Sequence, residues 1–265
     1  MVRIHSPRPI KSISYGRHSS PAVSFCATFV QQRDDKGQGL SASQIDRLGE
    51  RLKGPDASEA DIRLLDEYRR LFVPAYELVV SSIRERLSIE ASGRPAKTLV
   101  SIREKLRRET IRLSQMQDIA GCRVVVPDLR TQRDLADSLP HIFEDVVIVD
   151  RCSDPSHGYR AIHGVVLVDG KRVEVQIRTH LQHRWAEIAE KASDRDPGIK
   201  YGHGKARTME ILLRLSDTLF RLEHFNEHVR LGLTSPVHAA GIQDLQRLFA
   251  QLLDALSATA ERGQL

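Results

Sequence analysis

The 265-residue sequence has three cysteines, Cys26, Cys122 and Cys152, far apart, odd in number and without a CxxC pair. That spacing argues against both a disulfide framework and a thiolate zinc site. No stretch approaches the roughly 18 apolar residues that a membrane-spanning helix requires. The basic start, MVRIHSPRPIKSISYGRHSS, lacks an unbroken apolar core and makes a poor signal peptide. A reducing, cytoplasmic setting with no membrane contact is the expectation. No GxxxxGK[ST] loop occurs, since the nearest candidate, Gly198 to Lys205, has the wrong spacing and is followed by Ala206. HExxH is missing too, although His180, His183 and Glu187 fall roughly on one helical face. Trp185, the single tryptophan, reads with Leu181, Ile188 and Ala192 as a buried stripe.

What the chain does have is an ordinary globular balance, with 40% hydrophobic and 28% charged residues. The formal charge of +5 favours anionic partners. That charge is concentrated. Between Arg94 and Arg133 ten Lys and Arg stand against four acids, an excess of six that exceeds the whole chain's. The anion-binding region is expected there.

Residues 1–57 read as an N-terminal extension, weakly structured, with one short apolar run at Ala22 to Val30 and a helix capped by Ser41 or Ser43 and stopped by Gly54-Pro55. Ser58 with Asp61 opens a long amphipathic stretch to about Ile89, which Pro74 kinks. A helix over Leu99 to Arg108 leads to a β-branched strand, Gly121 to Val126. Next come a helix through Leu129 to Leu139, a strand over Val146 to Val149, and a hairpin, 161–168 and 172–178, around Asp169-Gly170. Helices over 180–193, 206–231 and 239–260 complete the chain, with a loop at Gly198 to Gly204. The fold class is α/β (α+β), a mixed sheet flanked by helices.

Four segments carry candidate chemistry. Lys97, Ser101, Lys105 and Arg108 are spaced four, four and three, so they share a face with Arg94 if the helix extends back that far. Such a face suits a polyphosphate through charge-assisted hydrogen bonds; a solvated basic face is the commoner outcome of that spacing. Asp118, ahead of the β-branched strand, is placed to hold Mg²⁺ with substrate phosphates, and Arg123 to reach the same phosphates. An ion-paired loop Asp is the alternative. In Val173 to Thr179, period two puts Glu174, Gln176 and Arg178 on one face, either solvated or the floor of a polar cleft. His157-Gly158-Tyr159-Arg160-Ala161-Ile162-His163 offers a turn glycine, an aromatic face for a base and a histidine beside it. Packing is the plainer role for that Tyr and His.

In this order the four segments resemble the synthetase domain of RelA/SpoT-type alarmone enzymes. That family reads R…K…SIxxKxxR, DIAGxRV, GYRSxH and VExQIRT followed by a helix with WA. The resemblance spans roughly residues 60–200. It implies a nucleotidyltransferase-like fold over 58–205, with a C-terminal helical extension over 206–265. It implies transfer of pyrophosphate from ATP to the 3′-hydroxyl of GDP or GTP. Arg94, Lys97, Ser101, Lys105, Arg108 and Arg123 would hold ATP; Asp118 and Glu174 would bind Mg²⁺, with Glu174 helping to deprotonate the hydroxyl. Tyr159 would stack on the acceptor base, with His163, His157, Gln176 and Arg178 on the acceptor side.

Departures cluster on that side: Pro155 and His157 stand where the family has Lys and Asn, and Ala161 where it has Ser. The absence of any His-Asp dipeptide and the chain's length imply a short, synthetase-only member, of a kind that often forms homo-oligomers. A toxin-like member acting on adenine nucleotides or tRNA 3′ ends, kept in check by a neutralising antitoxin, is the second expectation. A catalytically silent nucleotide- or RNA-binding module is the third.

Overall fold

The structure, a computed structural model, describes residues 40–55, 57–233 and 236–261; the run Ala22 to Val30 lies outside them. The elements are α1 (Ala42–Lys53), α2 (Glu59–Arg70), α3 (Val73–Leu87), β1 (Ser92–Arg94), α4 (Leu99–Arg108), β2 (Ala120–Val126), α5 (Leu129–Ile142), β3 (Val146–Asp150), β4 (Ile162–Val168), β5 (Lys171–Thr179), α6 (His180–Arg195), α7 (Ala206–Arg230) and α8 (Pro236–Glu261). Two 3₁₀ turns lie at Leu113–Gln115 and Pro197–Tyr201. The chain divides into two compact units, one of residues up to Leu71 with Lys97–Met116, the other of Phe72–Ala96 with the residues from Gln117 on.

The first unit is helical. Ser41 and Gln44 close a reciprocal capping box on α1, and Ser58 and Asp61 do the same on α2, as their spacing predicts. Leu48 and Leu52 of α1, Leu65 of α2, and Ile102 and Leu106 of α4 are buried, each contributing about 1.5–3 kcal/mol. Two of the clustered cations serve structure. Arg103 donates to the carbonyls of Leu52 (3.1 Å) and Gly54 (3.0 Å), and Arg107 to those of Lys53 (2.8 Å) and Gly54 (2.8 Å). They satisfy carbonyls that the end of α1 leaves without helical partners.

Pro74 does more than kink. The long amphipathic stretch is two helices, and Pro74 sits in the first turn of α3, where its missing N–H is not needed.

The second unit is built on a five-stranded sheet ordered β1-β2-β5-β4-β3, with β2 and β5 parallel and the other neighbours antiparallel. This is the expected mixed sheet flanked by helices. Asp169 and Gly170 both take positive φ (47° and 71°), the conformation that a two-residue hairpin turn demands. Period two divides the sheet. Cys122 and Val124 of β2, Val173, Val175 and Ile177 of β5, and Ile162 and Val166 of β4 are buried, with α3 and α5 packed on these strands. Burial pushes the thiols of Cys122 and Cys152 up to about 12, as befits inert core cysteines. Beyond the sheet, Trp185 of α6 joins Leu212, Leu215 and Leu219 of α7 and Leu252 of α8 in a second core. No helix among the described residues is long and apolar enough to cross a membrane.

Candidate functional site

The other face of the sheet is polar because the same alternation demands it. Register aligns Arg94 with Gly121 and Gly121 with Glu174; it also aligns Arg123 with Gln176 and Gln176 with His163. With Arg178 two residues beyond Gln176, six polar side chains from β1, β2, β4 and β5 thus share one face. Gly121 is the close-approach point, since a Cβ there would come within 3.1 Å of the Glu174 carbonyl oxygen.

On this face the side chains form a closed hydrogen-bonded circuit. Arg178 donates from Nη2 to Gln176 Oε1 (2.8 Å) and to the Tyr159 hydroxyl (3.0 Å). Gln176 Nε2 donates to Glu174 Oε2 at 2.8 Å. Tyr159 Oη lies 3.0 Å from His163 Nε2, and His163 Nδ1 lies 2.8 Å from Glu174 Oε1. Because Arg178 can only donate and an ionised carboxylate can only accept, the intervening roles follow. Glu174 accepts from His163 Nδ1–H as well as from Gln176, and the Tyr159 oxygen accepts from Arg178. Both branches run from Arg178 to Glu174.

Burial raises the Glu174 carboxyl, but the hydrogen bonds from His163 and Gln176 outweigh it and hold the group below the usual glutamate range. Asp118 pulls the other way, which places its charge within reach of Glu174. Glu174 is therefore ionised at neutral pH. Its circuit uses two of about four lone-pair sites. Two acidic residues, one ionised with lone pairs to spare, suit Mg²⁺, which is held by one or two carboxylates plus phosphate oxygens. Asp118 and Glu174 are the residues that would hold it.

Three buried nitrogens on this side have no hydrogen-bond partner among the described residues: Arg123 Nε, Arg178 Nη1 and His183 Nδ1. Arg178 is only 5% exposed. His183, on the first turn of α6, has its pKa lowered by burial and by the charges of Arg123 and Arg178, so the three groups are neighbours. A buried donor without a partner costs about 1–3 kcal/mol, and Arg123 and Arg178 each keep an N–H that an anion could accept from.

Residues 93–195 match the family described as "Region found in RelA / SpoT proteins". Residues 93–195 form a RelA/SpoT domain. An uncharacterised protein of Mycobacterium tuberculosis is 38% identical over 114 residues, 40% of this chain and 41% of that protein. The GTP pyrophosphokinase of Haemophilus influenzae is 32% identical over 148 residues, 51% of this chain and 19% of that one. The matches thus span well under half of these curated relatives. Among solved structures, the small alarmone synthetase 1 of Bacillus subtilis bound to its product pppGpp superposes with a TM-score of 0.51 at 26% identity. That match covers 64% of this chain and 99% of the other.

Within the RelA/SpoT domain the expected residues fall in both units. The sheet unit brings together Arg94, Arg123, Tyr159, His163, Glu174, Gln176 and Arg178, with Asp118 just ahead of β2. Lys97, Ser101, Lys105 and Arg108 belong to the helical unit. There α4 begins only at Leu99, capped by Thr98, so Lys97 precedes the helix and Arg94 is on a strand. Ser101 accepts a hydrogen bond from the Thr98 hydroxyl at 2.9 Å, and Arg108 pairs with Glu109 at 2.7 Å. His157 has a positive φ of 52° and sets its ring against Gly202, where an added Cβ would lie 2.3 Å from the imidazole. His183 is the residue the sequence did not offer for this role. Its one signal was a shared helical face with His180 and Glu187, which suggests a metal site more readily than an anion site.

Proposed function

We propose that the RelA/SpoT domain transfers the β,γ-pyrophosphate of ATP to the 3′-hydroxyl of a guanine nucleotide. The observation that carries this reading is the convergence of both hydrogen-bonded branches on an ionised Glu174 beside Asp118 and Tyr159. A base stacked on Tyr159 directs its ribose toward Glu174. The 3′-oxygen bonds to the β-phosphorus of ATP as its proton passes to Glu174. The bond from that phosphorus to the bridging oxygen of the α-phosphate breaks, and AMP leaves with the electron pair. Catalysis is mainly positioning and charge stabilisation, as expected for phosphorus transfer. Magnesium, when bound, supplies neutralisation of the phosphate oxygens. Arg94 and Arg123 of the sheet unit bind the donor phosphates. The named activity of the Haemophilus relative and the product bound to the Bacillus structure support the reading.

Pro155 and His157, which depart from the family pattern beside Tyr159, favour a second reading in which the acceptor is an adenine nucleotide or a tRNA 3′ end. Transfer from γ-labelled ATP, with GDP, GTP, ADP, ATP and deacylated tRNA offered in parallel, separates the two. Label in a guanosine 3′-pyrophosphate is the expected result. Label in tRNA or adenine nucleotides alone selects the second reading. Folded protein that labels none of them contradicts both.

A further inference from the structure

The turn that carries Tyr159 is held from behind by α7, which lies outside the matched segment 93–195. Ser216, 3% exposed, donates its hydroxyl to the Gly158 carbonyl at 2.6 Å and accepts from Arg160 Nε at 3.1 Å. The Arg160 guanidinium also lies over the Phe220 ring, 4.2 Å from its centroid. One helical turn before Ser216, the Leu212 carbonyl accepts from Trp185 Nε1 at 2.8 Å; farther along, Glu223 accepts from the hydroxyl of Thr179, the last residue of β5. Leu212, Ser216, Phe220 and Glu223 are spaced four, four and three, one face of α7. That face therefore touches both the Tyr159 turn and the junction of β5 with α6.

The turn needs holding. His157 and Gly158 are consecutive left-handed residues, with φ of 52° and 87°. For a histidine that conformation is strained and persists only where surrounding contacts fix it. Gly158 cannot be replaced, because a Cβ would come within 2.8 Å of Trp185 Cζ2. Tyr159, the next residue, is the only member of the circuit outside a strand.

We propose that α7 is the positioning element of the acceptor site: Ser216 fixes the Gly158 carbonyl and Arg160 and thereby sets the Tyr159 ring over the polar face of the sheet. The inference rests on the reading of Tyr159 as the platform for the acceptor base.

S216A removes one oxygen from the 265-residue chain. Hydrogen exchange then reads the turn directly, through the Tyr159 amide, which is bonded to the Ser156 carbonyl at 2.9 Å. The expected result is exchange about tenfold faster at residues 156–160 with sheet amides unchanged, the equivalent of one lost hydrogen bond. KM for the guanine nucleotide rises about tenfold as well, while KM for ATP and kcat at saturating acceptor stay as in the wild type. F220L, which removes the ring under Arg160 but keeps an apolar side chain, shifts the same two readouts less. Exchange of the turn at the wild-type rate in both variants overturns the inference, as does a loosened turn with an unchanged acceptor KM. If the wild type transfers pyrophosphate to no acceptor while S216A loosens the turn, the hold of α7 on the turn stands and the functional reading falls.

Discussion

His163 reaches diagonally across neighbouring antiparallel strands to Glu174, Nδ1 to Oε1 at 2.8 Å, with the far ring nitrogen of His163 taken by Tyr159. The imidazole therefore does two things at once. It holds the Glu174 carboxylate ionised against the effect of burial, and it ties that carboxylate to the residue assigned to the acceptor base. A proton taken by Glu174 arrives in a hydrogen-bonded pair.

The acid limb of the pH profile reports this pairing. With His163 present, the limb that Glu174 sets on kcat/KM lies below its ordinary value of 4.5. In H163A, burial is less opposed and the limb moves up toward neutrality. E174Q keeps the shape and removes the base, so transfer falls by about a hundredfold to ten-thousandfold. A limb that stays in place in H163A contradicts the assignment.

Tyr159 has separable parts. Y159F keeps the ring and loses the hydroxyl that joins Arg178 to His163, which costs about 1 kcal/mol, or several-fold in kcat/KM. Y159A also removes the stacking face, a further loss of about 1–3 kcal/mol that appears in the acceptor KM. Steady-state kinetics of the two variants, with each substrate varied in turn, make the comparison. Equal losses in both would rule out stacking.

Arg178 cannot be replaced by lysine. Its planar fork reaches Tyr159 and Gln176 and still presents Nη1 beside Arg123 and His183. R178K is expected to weaken binding of inorganic pyrophosphate about 10–100-fold, the loss for one charge-assisted bond to an anion. Isothermal titration with pyrophosphate measures it, and unchanged affinity would show that the orphaned guanidinium nitrogens do not receive an anion.

Glu223 sits buried between Thr179 and Gln182, and burial raises its pKa above the ordinary 4.5 despite the hydrogen bonds. Above 4.5 the folded state keeps a proton that the unfolded chain releases, so stability falls as pH rises through that window. E223Q is neutral throughout. The melting temperature of E223Q relative to the wild type should therefore climb as pH rises from that value to neutrality. A constant difference would mean that Glu223 titrates alike in both states.

Local chemistry was legible in the sequence, and long-range closure was not. Asp169-Gly170 announced its hairpin because only a few residues accept consecutive positive φ. Glu174, Gln176 and Arg178 announced a polar face through strict alternation. The three-residue strand Ser92–Arg94 carries no period, and its pairing with β2 is set by the partner rather than by its own side chains. Pro74 was visible as an interruption, but whether it bends one helix or starts another depends on packing that the sequence pattern does not encode. Ser216 and Glu223 looked like ordinary helix residues. Their partners lie 58 and 44 positions away, brought near by the path of α7. Arg103 and Arg107 counted as anion-binding charge in the sequence, and the structure uses them to cap α1.

The most direct test of pyrophosphate transfer is the stoichiometry of nucleotide products when ATP is incubated with Mg²⁺ and either GTP or 3′-deoxy-GTP. The account predicts one AMP formed per GTP consumed, no ADP, and no reaction with the 3′-deoxy acceptor. ADP as the product, or AMP release that is equal with and without the 3′-hydroxyl, would contradict it.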